Sequence, residues 1–153
     1  MRRETVSIIY QHPRILLGMK KQKFGKGMYN GFGGGIENGE TEIDSVVRET
    51  YEEAGITIIN PKKMGKILFE FETDEQNHLV YFFRVEEYLG AQKESNEMLP
   101  KWFNVDEIPY NQMWSDDVYW LPLLLDGKKF EGNFVFDEKG EMVRRTLKEV
   151  VGL

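Results

Sequence analysis

The chain has no cysteine, which excludes disulfides, thiolate metal sites and a cysteine nucleophile. Its two histidines, His12 and His78, show no metal-ligand spacing, so surface or packing roles are expected of both. No apolar stretch approaches the roughly 18 residues that a spanning helix needs. The apolar run in the opening MRRETVSIIYQHPR is also too short for a signal peptide. Positive charge is in deficit: 20 Lys+Arg stand against 26 Asp+Glu, a net charge of −6. That argues against a polynucleotide partner, which needs a basic face. A small phosphate ligand stays open, because a bound divalent metal inverts the local field. These absences lead to the expectation of a soluble, cytoplasmic monomer that binds no membrane and no polynucleotide.

What is present suits a folded unit. At 153 residues, 41% hydrophobic and 13% aromatic, the chain is long and apolar enough for a core and is expected to be one domain spanning 1–153. No linker, repeat or low-complexity tract divides it. Thr5–Tyr10 and Arg14–Met19 read as paired strands. Lys20–Gly35 is glycine-dense and polar and reads as a loop. Thr41 with Asp44 three residues on makes a capping box, opening a helix over Thr41–Ala54 that Gly55 ends. Further strands are predicted at 56–59, 67–71, 79–85 and 99–104. A second helix starts at Ser115 or Asp116 and runs to Leu125, kinked or split by Pro122. Phe130–Phe136 and Met142–Leu147 flank a turn and read as a hairpin. The fold class is therefore α+β, a mixed sheet sandwiched between helices.

The first helix carries the most information. At about 100° per residue, with Glu49 at zero, Glu52 lies at roughly −60° and Glu53 at roughly +40°, so three carboxylates share one flank. Ile43, Val47, Tyr51 and Ala54 form an apolar stripe opposite, expected to face the sheet. Like charges at this spacing repel unless a cation sits between them. Hard oxygen ligands gathered this way suit Mg²⁺. Alone, though, the triad reads equally as the solvated flank of an ordinary amphipathic helix.

The spacing of Gly34, Glu40, Arg48, Glu49, Glu52, Glu53, Gly55 and Ile56 resembles the signature of the Nudix hydrolases. One position departs: Thr50 stands where the family prefers an aliphatic residue, and it is expected at the edge of the buried stripe with its methyl packed. The resemblance implies the Nudix fold and metal-dependent cleavage of a nucleoside diphosphate linked to another group, with Mg²⁺ and, as a substitute, Mn²⁺. It implies metal ligation by Glu49, Glu52 and Glu53 and by the carbonyl beside Gly33 and Gly34. Glu53 becomes the first choice for the base, and Glu40 with Arg48 a supporting pair.

Segments outside the signature, among them Leu16–Gly34, Ile67–Phe71, Asn96–Phe103, Met113–Leu125 and Lys128–Phe136, resemble the animal branch of the family that hydrolyses oxidised purine nucleoside triphosphates such as 8-oxo-dGTP. This implies a base pocket of Asn30, Phe32, Phe69 and Trp114, with Phe24 and Phe71 as walls. Thr5 and Lys20 line it, Gly33 and Gly34 approach the phosphates, and Glu97 is a further acid near the metal. Gly35, Tyr29, Ser115 and His78 depart from the branch, which has lysine, tryptophan, proline and methionine there. Asp116 and Asp117 admit two readings. Adjacent carboxyls in an aromatic pocket cannot both ionise cheaply, so one holds a proton and the pair reads the purine edge. Alternatively, they cap the second helix. Two other functions remain: a pyrophosphatase for ADP-ribose or another nucleotide sugar, and a nucleotide-binding sensor without turnover. The nucleotide-sugar subgroup carries a proline about fifteen residues beyond the signature, where this chain has Phe69-Glu70-Phe71. A sensor would gain nothing from a repulsive carboxylate triad.

Overall fold

The computed structural model describes residues 1–153. The elements in chain order are β1 (Arg2–Gln11), β2 (Arg14–Lys20), β3 (Tyr29–Asn30), β4 (Phe32–Gly35), α1 (Glu42–Ala54), β5 (Thr57–Ile59), β6 (Lys62–Phe71), β7 (His78–Val85), β8 (Glu87–Leu89), β9 (Met98–Asn104), α2 (Asp117–Leu125), β10 (Phe130–Phe136) and β11 (Met142–Glu149). Nine strands form one sheet in the order β11-β10-β6-β7-β1-β2-β3, with β4 also on β1 and β9 also on β2. The β1–β7 and β6–β10 pairs are parallel and the rest antiparallel, so the sheet is mixed.

The sheet forks. β1 and β2 pair only between Ile9↔Leu16 and Gln11↔Arg14. Beyond that they part: β4 takes over β1 at Glu4–Ser7, and β3 takes over β2 at Gly18 and Met19. Tyr29–Gly35 therefore fills the fork, where the sequence suggested only a loop. The sequence hides these strands because glycine offers no side chain to alternate, and the ladder comes from the free edges of β1 and β2. Gly31 sits between them, where a Cβ would lie 2.6 Å from the Ser7 carbonyl oxygen.

Period-two alternation along β1 and β7 feeds two cores. Ile8, Val80 and Phe82 point to one face, packing with Trp120, Leu121 and Leu124 of α2. Ile9, Tyr81, Phe83 and Val85 point to the other, with Val46 and Ala54 of α1. The expected sandwich of helices around a mixed sheet is what forms.

The capping box is present as read. The Thr41 side chain accepts the Asp44 N–H at 3.0 Å, the Asp44 side chain accepts the Thr41 N–H at 3.1 Å, and Gly55 ends the helix in the left-handed region at φ 72°. The rotation of α1 differs from the expected one. Ile43 and Tyr51 are 51% and 59% exposed, and the residues buried along the helix are Ser45, Val46, Thr50, Glu53 and Ala54. The reason is hydroxyl pairing, which apolar periodicity does not register. Thr5 Oγ1 meets Ser45 Oγ at 3.1 Å and Ser7 Oγ meets Thr50 Oγ1 at 2.9 Å, both pairs buried between β1 and the helix. Thr50 is thus in the middle of the contact and acts through its hydroxyl, not at its edge through its methyl.

Helix α2 runs unbroken through Pro122. Arg84 of β7 closes its far end, where Nη1 donates to the carbonyls of Leu124 at 3.3 Å and Leu125 at 3.1 Å. At the near end Asp116 occupies the cap position, yet its side chain makes no capping bond.

Candidate active site

Register places the site. β4 pairs with β1 through Thr5↔Gly34 and Val6↔Gly33, and α1 packs across both strands. A Cβ on Gly33 would run into the Thr5 carbonyl, and one on Gly34 would lie 2.6 Å from the Glu49 carboxyl carbon. Both glycines are therefore required for space, and they bring backbone within reach of the glutamates. The Gly33 N–H donates to Glu53 Oε1 at 2.8 Å.

Arg48 organises the surrounding acids. Its Nε donates to Glu40 Oε2 at 2.6 Å and its Nη2 to Glu40 Oε1 at 2.9 Å, a two-pronged grip. Further bonds reach Glu49 at 3.0 Å, Glu52 at 3.3 Å and the Gly35 carbonyl at 3.2 Å. Hydrogen bonds from Arg48 and from the Glu37 backbone hold the Glu40 carboxyl down at about 2. Bonding to Glu40 in turn raises Arg48 above its already high value. This pair stays charged at any ordinary pH and ties the loop after β4 to α1.

Glu53 is the opposite case. Burial first, and then the charges of Glu49 and Glu97, push its carboxyl up to about 8 against the lowering effects of the Gly33 N–H and Lys20. Burial also raises Glu49, with Glu52 and Glu97 adding to the shift and Arg48 opposing it. Desolvated carboxylates that destabilise one another are a donor set that a hard divalent cation relieves. As they stand, no three acids are drawn into a cage around one point, because Arg48 and the Gly33 N–H hold their oxygens. The all-oxygen chemistry fits a divalent ion, and Glu49, Glu52, Glu53, Glu97 and the Gly33 carbonyl are the groups that would hold it.

The second cluster lies at the start of α2. Asp116 and Asp117 are both buried, and Asp116 Oδ2 accepts the Trp120 indole N–H at 2.9 Å. Burial raises both carboxyls. Asp117 goes well above the usual carboxylate range, with the charge of Asp116 and a hydrogen bond between the two adding to desolvation. Two carboxyls buried side by side do not both ionise freely, so the pair shares a proton. The Asp116 side chain makes no capping bond, being spent on Trp120, while Asp117 lies in the first turn of α2, where a carboxylate suits the helix dipole. Tyr110, whose hydroxyl is also raised by burial and by the charge of Asp117, is a neighbour that the sequence reading missed. Only its place three residues before Met113 hinted at it.

Other predicted pocket residues divide. Phe24 stacks on Trp114, ring centroids 5.1 Å apart. Asn30 is half-buried in the fork, its amide donating to the Met28 carbonyl at 3.3 Å. Phe69 stacks on Phe134 and Phe136, and Phe71 on Phe136. Lys20 ends β2 close enough to act on Glu53. Two expectations need correction. Phe32 is fully buried in the core beneath α1, and Thr5 is fully buried with its hydroxyl on Ser45, so neither side chain faces a ligand. Period-two alternation explains both: they point to the α1 face, while Val6 and Ile8 farther along β1 point to the core under α2 and the neighbours of Phe32 are glycines.

The NUDIX domain family profile matches residues 1–124. The chain belongs to the Nudix family. It is similar to the oxidized purine nucleoside triphosphate hydrolases of Danio rerio, 44% identical over 149 residues covering 97% of this chain and 96% of that one, and of Mus musculus, 43% identical over 146 residues covering 95% and 94%. Among solved structures it resembles a MutT protein from Bacillus halodurans, with a TM-score of 0.86 and 27% identity over 97% of this chain and 98% of that one. The protein is a Nudix hydrolase, and hydrolases of this family work with a divalent metal ion.

Proposed function

We propose that this Nudix hydrolase converts oxidised purine nucleoside triphosphates, 8-oxo-dGTP among them, into the nucleoside monophosphate and pyrophosphate, with Mg²⁺ as its metal and Mn²⁺ as a substitute. On this reading the 153 residues act as one unit, a cytoplasmic monomer whose partners are small nucleotides. Similarity over nearly the whole chain to two relatives bearing that activity in their names supports it.

The observation that carries the reading is the pair of buried adjacent carboxyls, Asp116 and Asp117, set between Trp114 and Trp120. Oxidation at C8 turns guanine N7 from an acceptor into an N–H donor, beside O6, which remains an acceptor. The protonated carboxyl of the Asp116–Asp117 pair donates to O6 while its ionised neighbour accepts from N7–H. Unmodified guanine presents two acceptors there, and the charged carboxylate then faces a lone pair. Trp114 supplies the stacking surface, Asn30 a donor and acceptor for the purine edge, Phe69 an apolar wall, and Lys20 positive charge.

The phosphates lie over Gly33 and Gly34, where backbone approaches closely. Glu49, Glu52, Glu53, Glu97 and the Gly33 carbonyl would hold the metal, which when bound would neutralise phosphate oxygens and acidify water. Glu53, fixed by the Gly33 N–H, takes the proton of the attacking water. Glu40 and Arg48 keep the loop on the helix. The test is kcat/KM with Mg²⁺ over a panel of ordinary and oxidised nucleoside triphosphates, ADP-ribose and dinucleoside polyphosphates. Oxidised purine triphosphates should lead by tenfold or more, and a lead by ADP-ribose overturns the assignment.

A further inference from the structure

The carboxylates leave one requirement of a triphosphate unmet: a cation for the far end of a strongly anionic chain, in a protein whose own net charge is −6. Order along the fork narrows the search. Asn30 comes first, then Gly33 bound to Glu53, then Gly34 against Glu49, then Gly35. Extended backbone spans roughly 3.3 Å per residue, so Asn30 to Gly35 covers about 16 Å, comparable to a nucleoside triphosphate laid out straight. Past Gly34 opens a cavity of about 430 Å³ whose lining includes Arg2, Arg3, Gly35, Ile36, Glu37 and Glu49. It borders the candidate site, since Glu49 lines both.

Three arginines stand near this end, and two are spent. Arg48 is bonded to Glu40, Glu49, Glu52 and the Gly35 carbonyl. Arg3 meets Glu42 at 3.4 Å and lies over the Tyr81 ring. Arg2 is different. Its one charged partner is Glu4, approached only through Nε at 3.4 Å, and Glu4 is itself engaged by His78. The two terminal nitrogens of Arg2 have no partner, and its side chain is half exposed. Its guanidinium lies across Gly35, where a Cβ would come within 3.1 Å of Nη2 and 3.5 Å of Cζ. The absence of a side chain at position 35 thus makes room for a planar cation with a free fork, the shape that pairs with phosphate oxygens.

We propose that Arg2, seated across Gly35 at the mouth of this cavity, grips the terminal phosphoryl groups of the substrate, those that leave as pyrophosphate. It is a positioning and specificity residue: it selects triphosphates by length and takes no part in bond breaking. The assignment rests on the triphosphatase reading above for its substrate, but its test does not.

The test compares wild type, Arg2→Ala and Arg2→Lys by calorimetry with two probes in the presence of Mg²⁺: inorganic pyrophosphate and 8-oxo-dGMP. Arg2→Ala should weaken pyrophosphate binding about tenfold, the scale of a charge-assisted phosphate contact, while 8-oxo-dGMP binding shifts less than twofold. Arg2→Lys should recover part of the loss, having the charge without the fork. In turnover of 8-oxo-dGTP the same tenfold should fall on KM, with kcat within twofold. Equal losses for both probes, or unchanged pyrophosphate binding, overturn the proposal. If the wild type hydrolyses no oxidised triphosphate, the functional reading fails, yet a selective loss of pyrophosphate binding still upholds the Arg2 site.

Discussion

Glu40, gripped by Arg48 on one face of the sheet, and the aspartates at the start of α2 on the other are acids under opposite regimes. Beneath α1, Glu40, Glu49 and Glu52 surround one arginine that bonds to all three. At the start of α2, Asp116 and Asp117 are buried beside an indole with no cation among their partners. The carboxyl of Glu40 is therefore kept charged, while Asp116 and Asp117, and Glu53 deeper under α1, are raised by burial. Environment, rather than residue type, sets the acidity of each carboxyl, and on the proposed function it would separate the end that handles phosphate from the end that reads a base.

That contrast can be broken at either face. The largest effect is expected of Glu53→Gln, which removes proton acceptance and one metal oxygen while keeping an acceptor for the Gly33 N–H. Pyrophosphate release should fall about 10³-fold, while calorimetry still detects nucleotide. Unchanged release would move the base elsewhere. Next comes Asp116→Asn, which leaves a neutral pair: kcat/KM for 8-oxo-dGTP should drop roughly 10- to 100-fold more than for dGTP. Equal drops would make the aspartates structural.

Smaller effects sharpen the comparison through stability. Thr50→Val keeps shape but strips the hydroxyl from the α1–β1 contact, and urea denaturation should register a loss of about 1 kcal/mol. The contributions of Glu40 and Asp117 should depend on pH with opposite signs. Glu40 sits below its unfolded value, so its contribution is present at neutral pH and disappears as pH falls from about 4 toward 2. Asp117 sits well above its unfolded value, so its contribution is complete below about pH 4 and is lost as pH rises. Melting curves from pH 4 to 8 should show Asp117→Asn gaining on wild type as pH rises. Parallel curves would mean that Asp117 ionises normally.

What the sequence disclosed was what is local. Capping, termination by Gly55 and the spacing of the glutamates are set within a few residues of one another, and all are present in the fold. What stayed hidden depends on partners far along the chain. Helix α1 rotates to bury hydroxyls because Thr5 and Ser7 lie some forty positions away, beyond any periodicity count. Strands β3 and β4 exist because β1 and β2 diverge, and β8 because it finds β5. Within the candidate site, the shared proton of Asp116 and Asp117 was legible from adjacency, but the absence of a capping bond from Asp116 was not, since it is Trp120, one turn on, that claims the carboxylate.

Arg84 gives the molecule a distant vulnerability. It fastens one tip of α2, and the aspartates sit at the other, a separation of roughly 13 Å for nine helical residues. Between the two tips Trp120, Leu121 and Leu124 are packed in the core, so the helix passes a shift at one end to the other as a single body. If the aspartates read the base as proposed, damage to Arg84 would blur discrimination between damaged and intact guanine from a site that touches neither nucleotide nor metal.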